Sequence, residues 1–410
     1  MKSKFNLIFL VVLLYGYIYN PIFSIIGIGS VKILLIMAII YSFFNNKIFK
    51  SLVHFKAELI FVFILVIYSF LSSLRSEVGL FTQEYLYIVW FVESIYLPIV
   101  IYFVFKKDID TYHWAKLLLT VGVLAAGITI ILIFNPSLNA FVRYTLIQTS
   151  AEELDGYDLV RDFGLAEGLR GTYPMTQGLI LGMCLFALRR SVWYALMILP
   201  LFVSIAFNAR TGLLAIPISL ILLLVHFKFN FRVILVFASL FLLILNFASI
   251  FDSFISNNQE TFDWLSIGYE ELIANLQGDK TGGASETLLI DEKFMPSNTI
   301  SLLIGTGNFG PSVGRVDNGY YYYLWFGGWI FMSIKFLFLL YTFIRINRIE
   351  KEKYYPYLFF FLLLIYTVKS NYLFNPSGMS RLIGFYYVYL ILSYKTSIKE
   401  ENNFILAVAK

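Results

Sequence analysis

Apolar runs close to bilayer length recur along the chain, separated by short polar breaks. A helix needs about 20 mostly apolar residues to cross the hydrocarbon core. The candidate runs are 5–20, 22–44, 58–74, 85–105, 114–134, 174–188, 191–207, 211–227, 232–250, 319–341, 356–374 and 380–394. They predict an all-α polytopic membrane protein with about 12 transmembrane helices. The sixth run is short and ends at Arg189–Arg190, so one long broken helix with the seventh is the alternative there. The first run opens Met1-Lys2-Ser3-Lys4 like a signal peptide. No small-residue cleavage site follows it, and Tyr17-Ile18-Tyr19-Asn20-Pro21 leads straight into the next run, so it reads as a retained anchor.

The polar breaks are unequal. Most are short, whereas 135–173 and 251–318 are long, and both fall on the same side of the membrane. Long loops of this kind are usually functional or disordered. Within the second, Leu265, Tyr269, Leu272, Ile273 and Leu276 recur at helical spacing. That spacing predicts an amphipathic helix over 261–278, lying on the membrane or capping the bundle. The expected organisation is a single integral membrane domain, 1–410, with these two loops as its elaboration.

Composition agrees and narrows the class. The 410 residues are 59% apolar and 14% charged, with mean hydropathy +0.76. Soluble domains are roughly 45–50% apolar and about 25% charged, so a large soluble enzyme and a disordered chain are excluded. Cys184 is the single cysteine, which rules out an intrachain disulfide. His54, His113 and His226 are scattered at segment ends, so no His/Cys metal site is expected. Neither a cofactor nor a nucleic-acid partner is expected.

Charge fixes the expected orientation. With both termini cytoplasmic, Lys47, Lys50, Lys56, Lys106, Lys107, Lys351 and Lys353 all fall in inner loops, as the positive-inside rule requires. The long loops then face outward. That side is poor in lysine, but it holds Arg75, Arg143, Arg161, Arg170, Arg210, Arg315 and Arg381. Arginine suits forked binding of phosphate and carboxylate. The plain alternative is that each snorkels or pairs within a loop. The outer face lacks ATP, so a catalyst there needs a pre-activated substrate, and polyprenyl-pyrophosphate glycans are the common ones.

Three motifs carry candidate chemistry. Gly168-Leu169-Arg170-Gly171-Thr172-Tyr173-Pro174 closes the first long loop. Asn208-Ala209-Arg210-Thr211-Gly212 joins two spans almost without a linker, and Thr211 is placed to cap the helix that follows. A charge such as Arg210 at membrane depth must be paired, solvated or functional. The third motif is Gly305-Thr306-Gly307-Asn308-Phe309-Gly310, followed by Arg315, Asp317, Asn318 and the tyrosines Tyr320 to Tyr323, with Gly327-Gly328 in the next span. It lacks the Gly-Lys-Ser/Thr ending of a phosphate loop. As a bare pattern it is equally a loop packed on the bundle.

In order and topology the set resembles the Wzy-type O-antigen polymerase and O-antigen ligase superfamily. The hydropathy likeness covers the whole chain, and the motif likeness covers about 168–330. The resemblance implies a membrane glycosyltransferase of the polyprenyl-donor, GT-C-like class in the bacterial inner membrane. Its active site would face the periplasm and its substrates would be undecaprenyl-pyrophosphate-linked glycans. Besides membrane lipid, the resemblance admits a chain-length regulator protein as partner. Arg170, Arg210 and the Arg315–Asp317 segment occupy the matching positions. The sequence departs from the family at Pro174-Met175-Thr176-Gln177, where His-Pro-Asn is frequent, and at Asp317, where ligases typically carry His. The missing histidine favours polymerase over ligase.

On this reading Arg210, Arg170 and Asp317 are the catalytic candidates. The arginines would stabilise the leaving pyrophosphate. Asp317 would orient or deprotonate the acceptor hydroxyl, or simply pair with Arg315. Arg315, Asn318, Tyr320, Arg161 and Arg381 are the substrate-binding candidates. Glu93, Lys335 and Lys369 lie within spans and need partners. The alternatives are an O-antigen ligase or a lipid-linked oligosaccharide flippase or transporter. A flippase needs polar groups along a mid-membrane path, often with repeat symmetry, and here the polar mass lies on one side.

Overall fold

A long apolar helix satisfies its own backbone polar groups, which is the condition for crossing lipid. The computed structural model follows that rule. It describes residues 2–75, 82–147, 163–169, 171–226, 295–296, 298–308, 318–369 and 371–408, and it is mostly helical (82%). Four helices among the described residues are long and apolar enough to cross a membrane: Asn46–Ser73, Gln83–Tyr112, Trp114–Phe134 and Gly319–Ile349. Shorter apolar helices include Asn6–Tyr19, Ser30–Phe44 and Tyr354–Thr367. The chain is a helical membrane protein. The expected run at 232–250, the amphipathic helix at 261–278 and most of the 251–318 loop lie outside the described residues.

Several expected runs differ in detail. The run at 22–44 opens as a small hairpin, β1 (Ile22–Phe23) pairing antiparallel with β2 (Ile28–Gly29), and its helix starts only at Ser30. Asn20 (φ 44°) and Gly27 (φ 64°) turn the chain there, in a left-handed conformation that helix cannot continue. The sixth and seventh runs are two separate helices, Thr172–Ala187 and Ala195–Ala206, rather than one broken helix. The head of the first long loop is itself helical, with turns over Pro136–Phe141 and Val142–Leu146.

The run at 356–374 is helical only over Tyr354–Thr367, and an irregular connector follows until Gly378. Asn375 precedes Pro376, which disfavours helix, and Phe374 sits at φ 59°. Non-helical backbone within a membrane bundle must be satisfied by protein. Leu373 N donates to the Tyr323 hydroxyl at 2.9 Å, and Lys335 Nζ donates to Leu373 O at 3.1 Å.

The described residues fall into two compact units. Unit 1 draws on 1–10, 31–114 and 288–410, and unit 2 on 11–30 and 115–287.

Candidate functional site

Unit 2 brings the first two sequence motifs together. Gly168 (φ 61°) turns the chain into the helix Thr172–Ala187, whose side chains from Tyr173 to Ala187 are all buried. The second motif opens a 3-10 turn, Arg210–Leu214, which leads into Ala215–His226. Thr211 lies inside that turn, and Ala209 holds the cap position, so the expected threonine cap does not form. Gly212 is pressed on the first turn of the helix from the first motif, where a Cβ would overlap the Pro174 carbonyl. The Arg210 backbone is thus two residues from a contact with Pro174, and Arg170 is four residues from the same contact.

A neutral hydrogen-bond network holds this junction. Asn208 grips Phe163 on both sides: Phe163 N donates to Asn208 Oδ1 at 2.9 Å, and Asn208 Nδ2 donates to Phe163 O at 2.9 Å. Nδ2 also donates to Ser204 O at 2.9 Å. The Tyr173 hydroxyl lies 2.7 Å from Thr129 Oγ1 and accepts from Gln177 Nε2 at 3.2 Å. Asn208 therefore fixes the chain two residues past Arg161 and two residues before Arg210. Arg161 and Arg170 themselves lie outside the described residues, and of Arg210 only the backbone is described.

Unit 1 is charged inside. Val92–Tyr96 forms a π-turn between the helices Thr82–Phe91 and Leu97–Tyr112. Such single π-turns widen a helix and recur at functional sites. This one presents Glu93, whose Oε2 accepts from Arg381 Nη1 at 2.9 Å; Arg381 is 1% exposed. Gly384, one turn along from Arg381, allows the close approach, because a Cβ there would overlap the Ser94 carbonyl. Glu58 is buried in a second pair with Arg345 and also accepts from the Tyr387 hydroxyl. A cavity of about 60 Å³ opens beside Glu58, with Trp90, Ser94, Tyr372, Ser380 and Tyr387 also in its wall. Among the described residues Lys335 has no carboxylate partner: beyond Leu373 O it is held by the rings of Tyr323, Phe331 and Tyr87, whose centres lie 3.9, 4.8 and 4.9 Å from Nζ.

The third motif divides. Gly305 (φ 76°) and Gly307 (φ 81°) dock on the helix Gly319–Ile349 where it breaks at Gly328. Thr306 N donates to Trp325 O at 2.7 Å and Gly307 N to Phe326 O at 3.0 Å. These glycines pack a loop on the bundle. Arg315 and Asp317 lie outside the described residues. Asn318 Oδ1 caps the helix, accepting from Tyr320 N at 2.9 Å. The Tyr320 hydroxyl donates to Leu364 O at 2.6 Å.

Sequence reading expected Arg381 at a substrate and left Glu93 without a partner, and the structure joins the two. It also missed Gln83 and Glu84, both buried where an apolar run begins. The signal was there, in two adjacent polar residues just ahead of the run at 85–105. Among the described residues no group of three His, Cys, Asp or Glu side chains is placed to hold a metal ion. No protein-family model, curated protein or solved structure gives a significant match to the chain.

Proposed function

We propose that the protein is a surface-polysaccharide polymerase, a membrane glycosyltransferase that joins undecaprenyl-pyrophosphate-linked glycans at the periplasmic face of a bacterial inner membrane. The observation that carries this reading is the meeting of the Arg170 and Arg210 motifs at one helix start, through Gly212 and Pro174. Two guanidinium-bearing segments held there by a neutral network suit a pyrophosphate. The reading includes about 12 spans, a GT-C-like bundle and cytoplasmic termini.

In the proposed reaction a hydroxyl oxygen of the incoming repeat unit bonds to the anomeric carbon of the growing chain. The bond from that carbon to the pyrophosphate oxygen breaks, and the electron pair leaves with undecaprenyl pyrophosphate. The hydroxyl proton passes to a base, with Asp317 the candidate, or to water. Pyrophosphate is a good leaving group, so the site must chiefly supply positive charge where the departing oxygens accumulate negative charge. Arg210 and Arg170 take that role, and Arg315 and Arg161 contact substrate phosphate or sugar.

The test is purified protein supplied with a lipid-linked repeat unit. Wild type gives a ladder of longer lipid-linked chains. Arg210→Ala, inserted at matched level, loses about 10²–10³ in rate, the range for removing one oxyanion donor. Arg210→Lys recovers only part, because an ammonium lacks the fork. A normal ladder from Arg210→Ala overturns the assignment of Arg210, and transfer to a lipid A core instead of a ladder makes the protein a ligase. Alkaline phosphatase fused near Asp279 is expected to be active, and fused near Arg348 inactive. The reverse pattern removes the periplasmic site.

A further inference from the structure

Among the described residues unit 1 buries several acceptor oxygens without a donor, and three of them gather at one end. There the helix Lys56–Ser73 finishes, while Thr82–Phe91 and Gly319–Ile349 begin. Glu84 is 3% exposed; its Oε1 accepts from Ser73 Oγ at 3.1 Å, and its Oε2 is buried without a partner. Gln83 is 4% exposed and donates through Nε2 to the Tyr322 hydroxyl, and its Oε1 is also buried without a partner. The same Tyr322 hydroxyl meets the Asn371 side chain, whose Oδ1 is a third unpartnered buried acceptor. Tyr87 lies one turn along from Glu84, and its hydroxyl too is buried without a partner.

Buried polar groups are nearly always hydrogen-bonded, so a cluster of exceptions needs an explanation. The three bare amide and carboxylate oxygens only accept; the Tyr87 hydroxyl, bare as well, can donate to one of them, so the place needs a guest that brings further donors. The nearby cations are committed elsewhere. Lys335 is held by Leu373 O and three rings, and Arg75 donates to Ser72 Oγ and Ile304 O. An anion would be repelled by Glu84, and a cation would find a single carboxylate. A sugar ring brings several hydroxyl donors at once and a C–H face that can lie against Tyr322.

We propose that this end of unit 1 is a binding site for a polyhydroxylated ring, whose hydroxyls donate to Gln83 Oε1, Glu84 Oε2 and Asn371 Oδ1. The identity of its natural ligand rests on the glycan-transfer reading: the guest is a sugar of the acceptor repeat unit.

The test uses full-length protein in nanodiscs and a panel of methyl hexopyranosides, read by saturation-transfer NMR, beside the ladder assay. At least one glycoside is expected to bind wild type. Glu84→Gln and Gln83→Met each weaken it about tenfold, the scale of one hydrogen bond to a charged or buried group. Thermal unfolding identifies which variants stay folded, and Asn371→Leu stands in for one that does not. Loss of glycoside binding in the variants, with no ladder from wild type, supports the site and removes the polymerase reading. A wild-type ladder with no glycoside bound, or with binding unchanged in folded variants, overturns the site and leaves polymerisation standing.

Discussion

The two units bury different kinds of polarity. Unit 1 buries Glu58, Glu84, Glu93, Lys335, Glu350 and Arg381, whereas among the described residues of unit 2 the one buried ionisable chain of that sort is Arg143. Unit 2 relies instead on hydroxyls and amides: Thr129, Tyr173, Gln177 and Asn208. Buried ions hold only with close partners, and they break steeply when one partner goes. Neutral networks share donors and acceptors and lose them one at a time. The difference also fits the proposed chemistry. A site meant to receive pyrophosphate on arginines is better placed where no buried carboxylate competes for them, and the described part of unit 2 buries none.

The largest expected effect breaks the charged side of this comparison. Arg381→Ala strands the Glu93 carboxylate and is expected to cost about 3–5 kcal/mol, the range for removing one partner of a buried pair. Unfolding of the purified protein in detergent measures it. The double variant Glu93→Gln, Arg381→Met removes both charges and is expected to recover most of the loss. Equal losses in the single and double variants would show that packing, rather than charge, makes Arg381 matter.

Next come two glycines at which the units are expected to behave alike. Gly384→Ala in unit 1 places a Cβ on the Ser94 carbonyl, and Gly212→Ala in unit 2 places one on the Pro174 carbonyl. Each is expected to cost about 1–3 kcal/mol, as overpacking does, because steric overlap is blind to charge. Chain extension separates them: Gly212→Ala displaces the Arg210 turn and loses activity, while Gly384→Ala retains it at temperatures where it remains folded. A variant of Gly212 with full activity would break the link between the two arginine motifs.

Hydropathy revealed the helices because the apolar condition for crossing lipid acts on every residue of a span. The run at 114–134 coincides with the helix Trp114–Phe134. The hairpin at Ile22–Gly29, the connector after Thr367 and the π-turn at Glu93 stayed hidden, since all three adjoin or interrupt long apolar runs and their backbone departs from helix for tertiary reasons. Asn20-Pro21 and Asn375-Pro376 were their faint local signs. In the candidate site, Arg210 was legible as a charge between two spans. The glycine beside it was not legible as a contact, because no spacing rule says which carbonyl a glycine will meet. The pairing of Arg381 was not legible for a similar reason. Its partner Glu93 is 288 residues away in sequence, and a charge's distant partner leaves no local pattern.

A third prediction concerns Asn208. Asn208→Ala removes both bonds to Phe163 and the one to Ser204 O, and is expected to cost about 1–3 kcal/mol, less than Arg381→Ala. Asn208→Asp still accepts from Phe163 N but sets a carboxylate oxygen against the Phe163 and Ser204 carbonyls in a fully buried place, so at neutral pH it is expected to cost more than alanine. A loss from Asn208→Ala as large as that from Arg381→Ala would erase the contrast between the units.

The smallest effect is expected at Thr129, and it sharpens the contrast most. Thr129 Oγ1 donates to Phe163 O at 3.1 Å and meets the Tyr173 hydroxyl at 2.7 Å. Thr129→Val keeps the shape and removes both interactions. Neither partner is stranded: Phe163 O keeps its bond from Asn208 Nδ2, and the Tyr173 hydroxyl keeps Ala125 O at 3.2 Å. The expected cost is therefore about 0.5–1.5 kcal/mol, the net worth of an ordinary hydrogen bond rather than the penalty of a bare buried group. The double variant Thr129→Val, Asn208→Ala is different, because Phe163 O then loses both donors. Its cost is expected to exceed the sum of the singles, with a coupling in the 0.5–3 kcal/mol range roughly typical of residues sharing one network. Strict additivity in that cycle would mean the two side chains do not back each other up, and unit 2 would then be no more tolerant of single losses than unit 1.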